Sequence, residues 1–283
     1  MPELHTAEAR HWFITGASGG LGRAIAEYAL QQHDFVTATV RRTSALDDLK
    51  QQHGELLTVE ELDLSPPVSV DDVVTRTQAA RPVDIVVNNA GYALVGAFEE
   101  MSVDQIRDQV EVLLVAPMLI TRAFLGSMRE RGGGRIIQIA SLGGQTTVPS
   151  YSCYHAGKWG LEGFSESVAK EVADFDIRFT IVEPGGTRTD FLSGMRFTEE
   201  TQPYRDTAVG AARRAQQSLD PADLTGDPAR IAALIYDSTR RPDPPLRLPA
   251  GLDSYEAIRT ELTERLAAME SQRDAAASVA FPD

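Results

Sequence analysis

Tyr154 and Lys158 stand four positions apart in Tyr154-His155-Ala156-Gly157-Lys158, a spacing that puts both side chains on one face of a helix. A phenol works as a general acid or base near neutral pH when its pKa is brought down, and a neighbouring ammonium does this by favouring the phenolate. Ser141 follows an apolar run at what would be the carboxyl end of a strand, the side on which open α/β sheets bind ligands. A Tyr-x-x-x-Lys pair recurs on solvated helix faces, and a lone serine after a strand is commonly a cap. The three residues therefore gain meaning from what accompanies them.

What accompanies them is a nucleotide-type turn. Gly16, Gly20 and Gly22 lie in Gly16-Ala17-Ser18-Gly19-Gly20-Leu21-Gly22, between a first strand and a first helix. Without side chains, the backbone can approach a pyrophosphate at the helix N-terminus, where free N–H groups and the helix dipole favour anions. The spacing is G-x-x-x-G-x-G rather than G-x-G-x-x-G. About 20 residues beyond such a turn, an acid would hold a ribose 2′-hydroxyl. Here the stretch is Thr39-Val40-Arg41-Arg42, with two guanidiniums and no acid. Arginine suits a 2′-phosphate, so NADP is favoured over NAD.

Three neighbours of Tyr154 invite other readings. His155 points a different way on the helix, toward solvent or an interface. Cys153 is expected as a small buried filler, and Tyr151, three before Tyr154, could face either the cleft or the packing. The five histidines are scattered and none pairs with another His or Cys at metal-ligand spacing, so no metal site is expected.

The elements that must position these residues alternate. Strands are expected at 12–15, 35–40, 56–62, 83–87, 135–140 and 177–182, with a short last one at 246–248. Helices are expected at 21–29, 46–52, 70–80, 103–131 with a bend at Pro117, 152–175, 229–238 and 255–269. Alternation of this kind implies right-handed βαβ units in one doubly wound parallel sheet, a three-layer α/β fold of Rossmann type. The whole chain, 1–283, is expected to be one such domain. Residues 191–225 break the rhythm and are expected to form a lid, and 274–283 a loose tail.

Composition narrows the partners. The 283 residues carry 27 basic and 41 acidic side chains, a formal charge of −14, which argues against nucleic acid and against an anionic membrane surface. No segment is expected to reach the length of a membrane span. The stretch 1–5 lacks a basic, apolar leader, and the single Cys153 excludes an internal disulfide. Both point to the cytoplasm.

Taken together, the motifs resemble the short-chain dehydrogenases/reductases. Thr15-Gly16-Ala17-Ser18-Gly19-Gly20-Leu21-Gly22, Asn88-Asn89-Ala90-Gly91, Ser141, Tyr154 with Lys158, and Pro184-Gly185 continuing to Thr189 fall in that family's order over about residues 10–190. The resemblance implies a hydride transfer between NADP(H) and a small carbonyl or alcohol substrate. It implies that Gly16, Ser18, Gly20, Leu21 and Gly22 line the pyrophosphate and adenosine ribose, that Arg41 helped by Arg42 meets the 2′-phosphate, and that Asp63 and Leu64 contact the adenine. Asn89, Ala90 and Gly91 would pass under the cofactor, Lys158 would bind the nicotinamide ribose, and Pro184, Gly185, Thr187 and Thr189 would hold the nicotinamide. Tyr154 would move the proton while Ser141 holds the substrate oxygen. Tyr92, Leu94, Gly143, Gln145, Tyr151, Gly186 and residues 191–204 are the candidate substrate pocket. A homodimer or homotetramer through the helices at 103–131 and 152–175 is also implied.

One position departs from the family pattern. Leu113 stands where the family usually has an Asn whose backbone carbonyl, supported by its side chain, holds a water of the proton relay. Leucine keeps the carbonyl and loses the amide. This motivates the alternative of a catalytically weak NADP-binding regulator, against which the intact Ser141, Tyr154 and Lys158 set argues.

Overall fold

In a computed structural model, which describes residues 9–65 and 70–281, the apolar runs become strands buried on both faces. In chain order the elements are β1 (His11–Thr15), α1 (Gly20–Gln31), β2 (Phe35–Val40), α2 (Asp47–His53), β3 (Leu57–Glu61), α3 (Asp71–Ala80), β4 (Ile85–Asn88), β5 (Leu94–Val95), α4 (Val103–Val110), α5 (Ala116–Arg131), β6 (Gly134–Ile139), α6 (Ser152–Glu171), β7 (Ile177–Pro184), β8 (Arg196–Phe197), α7 (Gln202–Arg205), α8 (Ala208–Gln217), α9 (Pro228–Thr239), β9 (Arg247–Ala250), α10 (Leu252–Glu270) and α11 (Arg273–Ala277). The N-terminal stretch 1–5 and the last two residues of the expected loose tail lie outside the described residues.

Seven strands form one parallel sheet in the order β3-β2-β1-β4-β6-β7-β9. Successive side chains on a strand face opposite ways. Trp12 and Ile14 of β1 join Ile25, Ala29, Ile235 and Tyr236 under α1 and α9. Phe13, between them, joins Val74, Ile120 and Phe124 under α3 and α5. Ile14 pairs with Ala38 on one side and Val87 on the other. The chain runs outward from β1 to β3 and then returns to β4, so the strand order reverses between β1 and β4. A crevice opens there at the carboxyl ends.

The expected helix at 103–131 is continuous but carries a π turn, Glu111–Val115, between α4 and α5. Pro117 sits in the first turn of α5. It has no N–H to offer the carbonyl four residues earlier, that of Leu113, and a widened turn absorbs the mismatch. Among the described residues this joined helix is also the one long and apolar enough to cross a membrane, which the sequence reading did not expect. Ile120, Phe124 and Met128 on its buried side lie against the core of the sheet.

Residues 191–225 hold more structure than expected. β8 pairs in parallel with β5 through Leu94↔Arg196 and Val95↔Phe197. The Arg213 guanidinium of α8 pairs with the buried Glu100 carboxylate, 2.5 Å away. The expected loose tail begins instead with α11, whose residues are all exposed. Ala275-Ala276-Ala277 has the helix propensity to form it without a packing partner.

Candidate active site

A cleft of about 750 Å³ lies over the carboxyl ends of β1, β4, β6 and β7. The N-terminus of α1 opens into it. Its cap, Gly19, makes no side-chain cap bond, and no acid sits in the first turn. The free N–H groups are therefore available to an anion. Gly16 and Gly20 have φ of +66° and +55°, the left-handed region where glycine is favoured. A Cβ on Gly16 would lie 2.8 Å from Ala90 Cα, so the turn and the Asn89-Ala90-Gly91 segment touch. The Asn89 side chain holds them together, donating to the Thr15 carbonyl (2.9 Å) and the Gly16 carbonyl (3.2 Å). This bare backbone cradle fits the pyrophosphate of a dinucleotide.

Most residues expected at the cofactor line the cleft: Gly16, Ser18, Gly20, Leu21, Arg41, Asp63, Leu64, Asn89, Ala90, Gly91, Pro184, Gly185, Thr187 and Thr189. Two do not. Gly22 lies beneath the turn, where a Cβ would collide with the Asn89 amide and the Gly16 carbonyl. Its part is to let α1 pack closely, not to face a ligand. Both arginines are exposed, and of the pair Arg41 lines the cleft while Arg42 lies outside it. Asp63, across from Arg41, accepts the Ser65 N–H (2.9 Å). That bond chiefly, with Arg41 adding to it, holds its carboxyl below the usual range.

Ser141, Tyr154 and Lys158 meet on one wall of this cleft. Ser141 follows β6 in extended backbone and its Oγ accepts the Gly143 N–H (3.1 Å). Tyr154 lies on the first turn of α6, and Lys158 one turn further. Lys158 Nζ lies 5.8 Å from the Tyr154 ring centre and donates to the Ile139 carbonyl (2.7 Å). Burial lowers the Lys158 amine to about 8, against the charge of Glu162. Burial also raises the Tyr154 phenol, and the Ser141 hydroxyl bonded to it works the other way. The sequence argument expected a lowered phenol. In the chain by itself, desolvation of the phenolate outweighs its stabilising partners.

Beyond Tyr154 the cleft is mostly apolar. Tyr151 packs edge-on against Tyr154 with ring centres 6.0 Å apart, and Phe191 does so from the far side at 6.4 Å. Val148, Leu192, Met195, Leu219 and Leu224 extend this wall, and Arg196 closes it, stacked 4.2 Å over Tyr92. Tyr92, Gly143, Tyr151 and Gly186 line the cleft as expected. Leu94 does not; it is buried against Met101 and Cys153. Gln145 does not either, since its amide turns behind the wall to donate to Glu183. Leu219 and Leu224 went unread because nothing in their local sequence signals a return to the cleft.

His155 differs from its expected solvated or interface position. It is buried, and Val148 N–H donates to its Nε2 (3.0 Å), so Nδ1 carries the proton toward the Gly143 carbonyl (2.8 Å). A neutral imidazole thus clamps the 143–148 loop beside Ser141. Cys153 is the buried filler expected.

Residues 10–200 match the family described as short chain dehydrogenase. The oxidoreductase BOA17 of Botryotinia fuckeliana (strain B05.10) is 38% identical over 248 residues, spanning 87% of this chain and 90% of that protein. A crystal structure of a short-chain dehydrogenase from Streptomyces avermitilis has a TM-score of 0.90 at 38% identity, covering 96% of this chain and 99% of that one. A metagenomic short-chain oxidoreductase solved with NADP has a TM-score of 0.67 at 26% identity, covering 87% and 100%. A short-chain dehydrogenase/reductase of Burkholderia phymatum solved with NAD shares the fold, with a TM-score of 0.78 at 21% identity and coverage of 93% and 95%.

Proposed function

The chain belongs to the short-chain dehydrogenase/reductase family and is an oxidoreductase of it; from that premise we propose that it interconverts a carbonyl and an alcohol with NADP(H), Tyr154 serving as general acid and base. The observation that carries this reading is the meeting of Ser141, Tyr154 and Lys158 on the wall of the cleft into which the uncapped N-terminus of α1 opens. Bound NADP(H) supplies or accepts the hydride. Tyr154 gives its phenolic proton to the substrate oxygen in reduction and takes it back in oxidation. Ser141 donates a hydrogen bond to the same oxygen. Lys158 steadies the phenolate by its charge, and the pocket fixes the reacting atoms in contact.

NADP is favoured over NAD because Arg41 lines the adenosine end and Val40 stands where NAD-binding chains carry an acid. The substrate is a largely apolar carbonyl or alcohol, matched to Val148, Tyr151, Phe191, Leu192, Met195, Leu219 and Leu224. Residues 191–225 act as its lid. The protein works in the cytoplasm as a homodimer or homotetramer. Screening apolar ketones and alcohols with NADPH, NADH and their oxidised forms, by absorbance of the reduced nicotinamide, tests the proposal. Turnover with neither cofactor would overturn it.

A further inference from the structure

The segment 191–225 lines the cleft with apolar side chains and Gly194, apart from the amide of Gln216 and the guanidinium of Arg196. The other charged groups of the lining have other places. Arg41 and Asp63 stand at the adenosine end, Asp190 lies against Gly19 at the cap of α1, and Lys158 lies by Tyr154. Among the described residues, Arg196 is thus the one charge on the substrate side of the lining, and the proposed reaction leaves it unused.

Arg196 is mounted on rigid elements. Its backbone N–H donates to the Ala93 carbonyl (2.9 Å) beside the β5–β8 pairing. Its guanidinium carbon lies 4.2 Å from the centre of the Tyr92 ring. Tyr92 is held in turn by the buried Gln109, whose amide donates to the Tyr92 carbonyl (2.9 Å) and accepts the Leu94 N–H (2.7 Å). A stacked guanidinium turns its flat face to the ring and keeps its N–H groups pointing outward in the plane. Among the described residues, no carboxylate pairs with it and no acceptor takes its side-chain N–H groups. Asp108 of α4 is close enough for its charge to act on the Tyr92 phenol, yet it makes no ion pair with Arg196. In a chain with 41 acidic against 27 basic side chains, this guanidinium is left open to an anion from outside.

The path from the reacting atoms to Arg196 is apolar. Tyr151 packs on Tyr154, its hydroxyl reaches Met195 Sδ (3.9 Å), and Arg196 follows Met195. A substrate with its carbonyl at Tyr154 and its far end at Arg196 therefore lies along aromatic and thioether surface.

We propose that the substrate is a carbonyl or alcohol with a carboxylate at the far end of a short hydrocarbon chain, and that Arg196 holds that carboxylate. This rests on the reading of Tyr154 as the acid–base group and narrows the substrate class given with it. A planar carboxylate matches two parallel N–H groups on one edge of a guanidinium. One guanidinium balances one carboxylate charge and leaves a phosphate dianion half neutralised. An ammonium in the same place is repelled. The contact is remote from the reacting atoms, so it acts alike on bound substrate and transition state and appears in KM rather than kcat.

The test uses the whole protein, NADPH and a homologous series of linear methyl ketones ending in a carboxylate, with the methyl esters and the amine-ended ketones of the same lengths. In the parent, kcat/KM for the best keto acid should exceed that of its ester by about 10-fold or more, through KM, and the amine should be the poorest. Added salt should shrink the advantage, because the pair is open to water. Arg196→Leu should use acid and ester alike, Arg196→Lys should keep part of the preference, and Arg196→Glu should favour the amine. Equal use of acid and ester by the parent, or an acid preference that survives in folded Arg196→Leu, would overturn the proposal. A loss of NADPH affinity in Arg196→Leu would also overturn it, by making Arg196 a cofactor contact. Calorimetric titration of the matching hydroxy acids into the protein with NADP reads the Arg196 contact without turnover. If they bind in an Arg196-dependent way while Tyr154→Phe leaves reduction intact, the reading of Tyr154 falls and the carboxylate site stands.

Discussion

The Leu113 side chain occupies the room that Gly157 leaves: a Cβ on Gly157 would stand 2.8 Å from Leu113 Cβ. The π turn of the long helix and the stretch of α6 between Tyr154 and Lys158 are thereby locked together. Gly157→Ala should destabilise the fold. Overpacking of about 1–3 kcal/mol exceeds the gain of up to about 1 kcal/mol for replacing a helical glycine. Thermal unfolding should show a lower Tm. An unchanged or higher Tm would mean the contact is loose.

Leu113→Asn should lower stability by about 1–3 kcal/mol, because its amide would face apolar neighbours without partners. It should change turnover little, since the backbone carbonyl at this position survives substitution. Single-turnover hydride transfer across a pH series checks this. A large gain over a nearly inactive parent would favour a regulatory protein that binds NADP without turning it over.

Arg41→Ala should remove most of the preference for NADPH over NADH. Loss of charge-assisted bonds to a phosphate costs about 1.5–3 kcal/mol. Arg42→Ala should matter less, because Arg42 lies outside the cleft lining. Fluorescence titration of both cofactors reads this directly. Equal affinities in the parent would contradict it.

Glu100 predicts an acid-sensitive lid. Burial works to raise its carboxyl, but bonds from Thr201, Thr198 and Ala97 outweigh it and hold the group at about 2, against 4.5 ordinarily. A depressed carboxyl stabilises the fold fully above its unfolded value and loses that contribution as pH falls toward its folded value. The loss should therefore run from about 4.5 down to about 2. Glu100→Gln should cost up to about 3–5 kcal/mol at neutral pH, because it removes the buried carboxylate paired with the Arg213 guanidinium and leaves only Glu200, 4.0 Å away. Its urea midpoint should also fall less steeply below pH 4.5 than that of the parent. Parallel pH dependence in the two proteins would show that the pair does not hold the lid.

The strands and the meeting of Ser141, Tyr154 and Lys158 in one cleft were legible because both follow local rules. Period-two and apolar runs mark β1 to β4, β6 and β7, and Tyr154, Lys158 and the glycine turn are short-range spacings. The lid was not legible. β8 is two residues long and is held by Leu94 and Val95 about a hundred positions away, and Arg213 is buried by a carboxylate as distant in sequence. His155 was misplaced for the same reason, since its partners Gly143 and Val148 fix a buried tautomer that helical spacing alone does not signal. Gly22 and Arg42 were read from motif position, which does not tell which members of a motif face the ligand.

The decisive measurement is steady-state and single-turnover reduction by NADPH in the parent and in Tyr154→Phe, which keeps the ring packed against Tyr151 and Phe191 and removes only the proton. Turnover should fall by about 10²–10⁴-fold while NADPH affinity stays within about twofold. An unchanged rate in the folded, NADPH-binding variant would contradict the assignment of Tyr154 as the acid–base group.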